Sequence, residues 1–556
     1  MTLNAYEFNN LLTALPALRK IYNSGTLKDY FQEELADFLL ETNKTTPDTA
    51  LLLETIYEET ARLYDKQTAK EVVKQLSYLP IMESGTHLAF LRDYDSPQKE
   101  ETRALLNQNI LISASLMKQA GAKYHIGFYG SNVSLSHPCS GGYFQVGDSI
   151  FPVANNNKIS KSILYQSDKI SSEYFNETVL LSATLNHLEK TLNTILNQEN
   201  CPCKEKYKAA LKIVSHLTAT TNLKNLQTAY SSLKEGKKQL IEETKQELNL
   251  LSKRMFDYSF DDIKNQYQTL KSIFEQENLS TLADQTAVYQ SYSLNQILNK
   301  AGMQQITLDG TEITRKFLIK ALQSEDSIWS KIFSNPHYFN KFQQSLKGIR
   351  AAWKEDESPF VGISKDKEMR KSFAIKLHKL SHDKETVLDL LKTKQIAPSS
   401  ALICLATQSA NILAHGGFFQ STYAEKMKQG FQGFLTQIHE NKLKEKLDVM
   451  PVDLMFLSLG VISESKTKKP LKLSEIARLP EDRLANMMNV IPYIGAAKAV
   501  LATAGILNSY LNNTAPGYIE AESMKNKEKL VQKISKYPEA YKISFKQMAH
   551  LQERGS

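Results

Sequence analysis

The chain has 556 residues, and a usual domain size of about 150 residues predicts roughly three to four units. Hydrophobic residues make up 42% and charged residues 23%, which excludes a disordered chain. The net charge of +8 comes from 68 basic and 60 acidic residues, mixed along the chain without a dense basic stripe, so we expect no nucleic-acid partner. Four cysteines exclude a disulfide framework, and the first residues show no signal-peptide pattern, so we expect a soluble cytoplasmic protein.

Helices are predicted before residue 79. In "LKDYFQEELADFLLET", apolar residues recur every three or four positions, which indicates one buried helix face. Thr46, Pro47 and Asp48 form a start signal for the next helix. We interpret residues 1–78 as an N-terminal helical cap. The buried face is predicted to hold Leu27, Tyr30, Phe31, Leu35, Phe38 and Leu39.

The pattern changes at Pro80. Apolar runs flank Gly85, "NILISASLMKQAGAK" is typical of a helix that ends at Gly121, and "YHIGFYG" is typical of a strand. "GGYFQVGDSIFPVAN" predicts a hairpin around Gly147. Because strand, helix and strand follow one another, residues 79–175 are predicted to form the first part of an α/β core.

Long polar helices are predicted over residues 176–395. "NLKNLQTAYSSLKEGKKQL" follows a short heptad pattern, which is typical of a coiled-coil-like hairpin. "MQQITLDGTEITRKFLIKAL" predicts a hairpin or a strand with a turn at Asp309 and Gly310, and then a helix. Cys201 and Cys203 supply half of a zinc site at most, so no metal site is predicted. We interpret this segment as a helical insertion.

The last third of the chain contains the second glycine-bearing region. An apolar helix leads to His415, and an aromatic helix follows Gly417, so residues 396–465 are predicted to complete the α/β core. Residues 466–556 are predicted to form a C-terminal helical region. Within that region, residues 490–511 approach the roughly 20 apolar residues that span a bilayer. Internal polar residues and many alanines weaken insertion, so we expect no membrane partner.

The stretch "YHIGFYGSNVSLSHPCSGGYFQVGD" holds the best candidates for chemistry. Cys139 is a strong nucleophile, and His137 would share its face in an extended segment. With His87, these two side chains are the predicted catalytic residues. A packed cysteine in a hairpin is the structural alternative, and His125 is interpreted as a core histidine.

Ligand-binding residues are predicted in glycine-bearing turns. Gly130 and Ser131 end the "YHIGFYG" strand, at the end where α/β sheets bind ligands. Arg92 is a candidate anion clamp, or it forms a local ion pair with Asp93. The sequence has neither a dinucleotide fingerprint nor a P-loop, so it identifies no cofactor. The predicted set is Arg92, Gly130, Ser131, Gly141, Gly142, His415, Gly417 and Tyr423.

About a fifth of the chain resembles the bacillithiol-biosynthesis cysteine-adding enzymes. Like that family, the chain has a glycine turn after an early strand at 84–87, followed by a helix and an aromatic strand at 110–130. Residues 416–423 resemble its later glycine turn, which leads through a tyrosine to a helix. The resemblance implies an α/β core with a helical coiled-coil insertion. It identifies no substrate, because "GSN" at 130–132 replaces the family's acidic–histidine cluster and the second glycine–proline turn is missing.

We therefore expect a mostly α protein with an α/β core, whose Rossmann-like sheet is interrupted by a long helical, coiled-coil-like insertion. The predicted function is a bacterial enzyme of transferase or ligase type. It would act on a small polar metabolite in a pocket formed by residues 84–93, 125–142 and 415–423. A non-catalytic protein-interaction or secreted effector protein is the first alternative, and a membrane-active protein using 490–511 is the second. The helical regions would serve a homo-oligomer or a protein partner.

Overall fold

The chain is mostly helical, and its helices surround a small parallel sheet. The computed structural model describes residues 5–14, 16–41, 45–85, 110–133, 143–146, 149–152, 162–169, 185, 188–189, 192–193, 196–197, 204–221, 246, 260–349, 352–364, 370–415, 421–451, 476–477 and 479–497.

Among the described residues, five helices precede the first strand. The predicted start of the fourth is confirmed, because the Thr46 hydroxyl accepts from the backbone N–H of Thr49 and the Thr49 hydroxyl accepts from that of Thr46. The predicted apolar face of the third is confirmed as well, since five of its six side chains are buried and Leu39 is partly buried. The helices are α1 (Ala5–Ala14), α2 (Pro16–Asn23), α3 (Leu27–Glu41), α4 (Pro47–Leu63) and α5 (Lys66–Tyr78).

The described strands form three sheets. Four parallel strands make the core sheet, two strands make an antiparallel hairpin, and three strands make a second antiparallel sheet. The strands are β1 (Ile81–Gly85), β2 (Tyr124–Tyr129), β3 (Tyr143–Val146), β4 (Ser149–Pro152), β5 (Gln304–Asp309), β6 (Glu357–Ile363), β7 (Ser372–Lys376), β8 (Ile396–Pro398) and β9 (Leu413–His415).

The core sheet has the strand order β5–β2–β1–β9, with every neighbouring pair parallel. In chain order, β1, β2 and β5 are added one after another across the sheet in a single direction. Strand β9 is then added on the opposite side of β1. All four strands therefore end at the same edge of the sheet. The direction of strand addition reverses between β1 and β9, and in open parallel sheets a crevice lies beyond the strand ends at this point.

The two faces of the core sheet differ in polarity. Glu83 is the register partner of both Gly127 and His415, and His125 is the partner of Gln305. Because side chains alternate along a strand, the polar residues fall on one face. That face carries Glu83, His125, Gln305, Thr307 and His415, and the opposite face carries Met82, Ile126, Phe128, Ile306 and Leu308.

A helix over residues 110–119, here α6, packs against the polar face and precedes β2. It ends where the sequence predicts, because Gly121 adopts a φ of +86°, a left-handed conformation that glycine reaches without a steric penalty. The β3–β4 hairpin is also confirmed, although its turn at residues 147–148 lies outside the described residues.

Strand β5 changes the predicted division of the chain. It comes from residues 176–395, which the sequence predicts to be a helical insertion, and it pairs with β2 along its full length. Asp309 and Gly310 form a junction from strand to helix, so the hairpin alternative is wrong. Strand β8, which lies in the predicted second part of the core, joins the antiparallel sheet β7–β6–β8 instead. The heptad segment lies outside the described residues.

The remaining helices pack around these sheets. Trp329 is fully buried, stacks on Phe431 and donates its indole N–H to the Ser409 hydroxyl, so it ties three helices together. In the part of the chain that the structure describes, no helix combines the length and the hydropathy of a membrane span; residues 498–511 lie outside that part. The helices are α7 (Lys204–Thr221), α8 (Phe260–Phe274), α9 (Leu282–Leu298), α10 (Gly310–Gln323), α11 (Ile328–Ser334), α12 (Pro336–Ser345), α13 (Lys384–Lys392), α14 (Ser400–Ser409), α15 (Ser421–Gln437), α16 (Asn441–Val449) and α17 (Glu481–Val490).

Candidate functional site

The structure describes four of the eleven predicted catalytic and ligand-binding residues. Gly130 and Ser131 follow β2, His415 ends β9, and Tyr423 lies in α15, where it is half-buried against the core. The others lie outside the described residues, so their predicted roles stay predictions: His87, Arg92, His137, Cys139, Gly141, Gly142 and Gly417.

Two distant segments of the chain meet at the carboxyl edge of the core sheet. Strand β1 ends at Gly85 and β9 ends at His415, and the two strands pair so that Glu83 is level with His415. The sequence predicts one pocket from residues 84–93, 125–142 and 415–423. Of these segments the structure describes 84–85, 125–133 and 415, and it places Gly85 and His415 at the ends of neighbouring strands. This pair of strand ends is the centre of the candidate site.

A compact polar cluster lies under this edge. His125 is 1% exposed, and its Nε2 lies 3.0 Å from Glu83 Oε2 and 2.8 Å from the Ser113 hydroxyl on α6. The same hydroxyl lies 3.4 Å from His415 Nε2. On its other side, His125 Nδ1 lies 2.7 Å from Gln305 Oε1. Polar groups from the neighbouring strands and from one helix therefore converge on a single imidazole.

Hydrogen bonding around Gln305 fixes the tautomer of His125. The Gln305 amide nitrogen lies 3.1 Å from Thr307 Oγ1 and near the carbonyl of Ile306, which can only accept. The Gln305 oxygen therefore faces His125 Nδ1 and accepts its proton. His125 Nε2 is consequently the nitrogen that can gain or lose a proton next to Glu83 and Ser113.

His415 is held in its neutral form. Burial lowers the pKa of His415 to about 4, an effect that Glu83 opposes and His125 strengthens. At neutral pH the imidazole can therefore donate through one nitrogen and accept through the other. A neutral imidazole beside a carboxylate and a second imidazole is suited to moving protons.

Glu83 is the member of the Glu83–His125 pair closer to solvent. Its side chain is 15% exposed, whereas that of His125 is 1% exposed. Glu83 Oε2 is itself buried and makes no hydrogen bond with good geometry among the described residues, despite its short distance from His125 Nε2. At this edge of the sheet the Glu83 side chain is therefore more accessible to solvent than the His125 imidazole.

The part of this same edge where β2 and β5 end is less suited to binding a ligand. The Ser131 carbonyl accepts from the backbone N–H groups of Leu164 and Tyr165, so a loop covers it. Burial raises the pKa of Asp309 to about 7, with further increases from Glu312 and Asp284, while the Ser131 hydroxyl and the Thr311 amide oppose the rise. A carboxyl next to Ser131 works against anion binding there, so the geometry favours a structural role for Gly130 and Ser131.

Sequence reasoning missed Glu83, Ser113 and Gln305, and it interpreted His125 as a structural residue. A signal was present in "QQITLD", where Gln305, Thr307 and Asp309 alternate with the apolar residues Ile306 and Leu308. That spacing puts polar side chains on one buried face, and buried polar groups need partners. The partners themselves lie on other strands and could not be identified from the spacing alone.

Comparisons with known proteins add no assignment. No protein-family model matches the chain, and the search of curated proteins found no match. Within the described residues, no group of three or more histidine, cysteine, aspartate or glutamate side chains is arranged to hold a metal ion. The function must therefore be argued from the chemistry of the Glu83–His125–Ser113–His415 cluster itself.

Proposed function

We propose that the chain is an enzyme of group-transfer type, a transferase or ligase, that acts on a small polar metabolite in the crevice beyond β1 and β9. One observation carries this proposal: Glu83, at the carboxyl edge of β1, lies against an imidazole whose tautomer is fixed. The position of the cluster in the sheet, its chemistry and the character of the exposed surface add support.

The position of the cluster supports a ligand site. The order β5–β2–β1–β9 corresponds to strands 3-2-1-4 of a doubly wound sheet, and such Rossmann-like sheets bind ligands where the order of strand addition reverses. Glu83 and His415 flank this point. We assign the helical, coiled-coil-like insertion to the chain between β2 and β9. Strand β5 lies within this part of the chain and belongs to the core sheet.

The chemistry of the cluster suits group transfer. The hydroxyl or amine of an acceptor substrate must lose a proton as it forms its new bond. Glu83 is placed to take that proton, because its carboxyl is the partly exposed member and His125 lies directly behind it. The metabolite would bind with its proton-bearing group towards Glu83, and residues 84–93 and 415–423 would form the walls of the pocket.

The described surface gives less support to a protein-interaction function. Its exposed large apolar side chains lie on separate elements, whereas an interaction surface gathers such side chains into one patch. They are Leu40, Tyr78, Ile213, Phe373 and Tyr493.

A thermal-shift screen against small polar metabolites and nucleotides tests the proposal. A ligand at 100 times its dissociation constant should stabilise the wild-type chain by about 2.7 kcal/mol. Glu83→Gln should weaken or abolish that response, and Glu205→Gln, on the exposed surface of α7, should leave it unchanged. A parallel Cys139→Ala variant tests the predicted nucleophile separately.

Two results would count against the function. One is the absence of any ligand response in the wild-type chain. The other is an equal response in the wild type and in Glu83→Gln, since the ligand would then bind away from the crevice.

A further inference from the structure

The start of α4 packs against the end of α14, a few residues before the candidate site. The Thr49 hydroxyl donates to the Ala410 carbonyl at 2.8 Å, and the Thr46 hydroxyl donates to the Ser409 carbonyl at 3.4 Å. Only a short connection separates this contact from β9, which ends at His415. The α4–α14 junction therefore supports the strand that carries one of the site histidines.

We infer that this junction holds β9 and His415 in place, and that ionisation of Asp48, in the first turn of α4, loosens the hold. The junction is thus a pH-sensitive support of the candidate site. Its regulatory role rests on the proposed function, whereas the behaviour of the junction can be tested without a substrate.

Asp48 is buried in the junction without the donors that a carboxylate needs. The residue is 3% exposed, and neither of its carboxyl oxygens makes a hydrogen bond of good geometry among the described residues. A buried acceptor without a donor costs free energy, and a charged one costs the most. The neutral, protonated carboxyl is therefore the form that the junction accommodates better.

The two hydroxyls beside Asp48 are engaged in other hydrogen bonds. Ser327 caps α11 and accepts from the backbone N–H of Trp329, and Ser409 accepts from the Trp329 indole N–H. Ser409 donates its own hydrogen to the Ala406 carbonyl, 2.9 Å away in the last turn of α14. An ionised Asp48 attracts both hydroxyls, so it weakens the bond between Ser409 and Ala406 at the end of α14.

Burial dominates the titration of Asp48. It raises the pKa of Asp48 from the usual 3.8 to about 6, while Ser327, Ser409 and Lys331 oppose the rise. Because the folded value lies above the unfolded one, the contribution of Asp48 to stability is complete below about pH 3.8 and is lost as the pH rises through about 6. The junction is therefore tightest in mild acid and loosest at neutral pH and above.

The remaining charges on the helices packed against α4 are held in other pairs or lie in solvent. Lys331 on α11 is paired with Glu440, and α14 has no acidic or basic residue. On α5 the lysines are exposed, and Glu71 pairs with Lys123. The lysines of α10 pair with carboxylates further along α4, Lys316 with Glu59 and Lys320 with Glu54 and Glu58.

Tryptophan fluorescence of the full chain tests the junction, because Trp329 donates to both hydroxyls beside Asp48. Trp353→Phe leaves Trp329 as the single tryptophan. Its emission should change with a midpoint near pH 6, and Asp48→Asn should remove this transition. Asp65→Asn is the matched control, since Asp65 caps α5 on the exposed surface and its pKa is lowered by hydrogen bonds from Thr68. That variant should keep the transition.

Nuclear magnetic resonance with ¹⁵N-labelled histidine tests the connection to the site. The ring signals of His415 should move with a midpoint near pH 6, well above the value of about 4 at which the ring itself titrates. Thr49→Val removes the hydroxyl that holds Ala410 and should shift these signals at constant pH, whereas Thr49→Ser should restore them. His382, which contacts Ser358 and Phe339 and also titrates at about 4, is the internal control.

Three results would overturn the inference. The first is a Trp329 emission that is constant between pH 5 and pH 8, or that changes equally in Asp48→Asn. The second is a set of His415 signals that respond neither to the transition near pH 6 nor to Thr49→Val. The third is a ¹³C-labelled Asp48 carboxyl with a wild-type midpoint near the ordinary aspartate value of about 3.9, which decides the matter even if Asp48→Asn fails to fold.

The junction and the proposed function fail separately. A transition near pH 6 at both Trp329 and His415, without any thermal-shift ligand, would keep the junction and reject the function. A ligand response that depends on Glu83, without that transition, would keep the function and reject the junction.

Discussion

Glu83 on β1 and His415 on β9 are register partners in a parallel pair, and the carboxyl of Glu83 acts on the imidazole of His415 through space. The two residues come from the first and last strands of the core sheet in chain order, and both lie on its polar face. This relationship places a carboxyl group and a neutral imidazole at the point where the order of strand addition reverses. It also makes the stability of the fold depend on pH at that point.

The first prediction concerns acid sensitivity at His415. Its folded pKa of about 4 lies below the unfolded value of 6.5, so the unfolded chain binds a proton at higher pH. The contribution of His415 to stability is therefore lost as the pH falls from about 6.5 to about 4. The difference in unfolding free energy between the wild type and His415→Asn should change by on the order of 3 kcal/mol over this window.

Urea denaturation of both proteins at several pH values measures that difference. Using a difference removes the contributions of other groups that titrate in the same range, such as His382. A difference that stays constant from pH 7 to pH 4 would show that His415 is not buried in its neutral form.

The second prediction concerns Asp309 and has the opposite sign. Its folded pKa of about 7 lies above the unfolded value of 3.8, so the wild type loses stability as the pH rises from about 4 to about 7. The amide introduced by Asp309→Asn would not titrate, yet its oxygen can still accept from the Thr311 N–H that begins α10. The unfolding free energy of the variant, relative to that of the wild type, should increase by on the order of 4 kcal/mol across this window.

Denaturation at pH 5 and pH 8 tests this gain. Asp383→Asn is the matched control, because Asp383 also caps a helix but is exposed, and its pKa is lowered to about 2. Its effect on stability should be the same at both pH values. Equal effects of Asp309→Asn at pH 5 and pH 8 would contradict the prediction.

The third prediction concerns the close packing of β5 and α10 against β2. A Cβ at Gly310 would lie 2.8 Å from the Phe128 ring and 3.1 Å from the Tyr129 carbonyl. Gly310→Ala should therefore destabilise the chain by about 1 to 3 kcal/mol. In α15, Gly433 has open space around the Cβ position, so Gly433→Ala should be neutral or stabilise by up to about 1 kcal/mol. Thermal or urea unfolding measures the stability of the two variants. Equal stabilisation by both substitutions would show that α10 does not pack closely against β2.

The fourth prediction concerns a buried ion pair behind the sheet edge. Arg315 donates two hydrogen bonds to the Glu312 carboxylate and one to the Leu391 carbonyl, and both charged side chains are almost fully buried. Glu312→Gln leaves the guanidinium without its counter-charge and should cost about 3 to 5 kcal/mol. Glu205→Gln breaks an exposed pair with Lys208 and should have no measurable effect. Urea unfolding of the two variants measures these losses of stability. A small decrease in unfolding free energy for Glu312→Gln would show that solvent reaches Arg315.

Local patterns in the sequence were sufficient for several elements. Thr46 starts α4, Gly121 follows the end of α6, and the β-like run "YHIGFYG" forms β2. Each depends on residues within a few positions of one another, through a capping hydrogen bond, a positive φ or a preference for extended backbone. The sequence also pointed to His415 as a site residue, although it offered no reason to couple it with Glu83.

By itself, then, the sequence determined many of the helices and the strands of the α/β unit, and it predicted candidate chemistry near two glycine-bearing regions. Tertiary structure alone decided that β9 lies beside β1, that β5 extends the core sheet, and that His125 lies between Glu83, Ser113 and Gln305. The physical reason is that parallel strands pair across long stretches of intervening chain, so no local spacing records which strands become neighbours. The environment of each buried polar group, and hence its protonation, is fixed only when those strands meet.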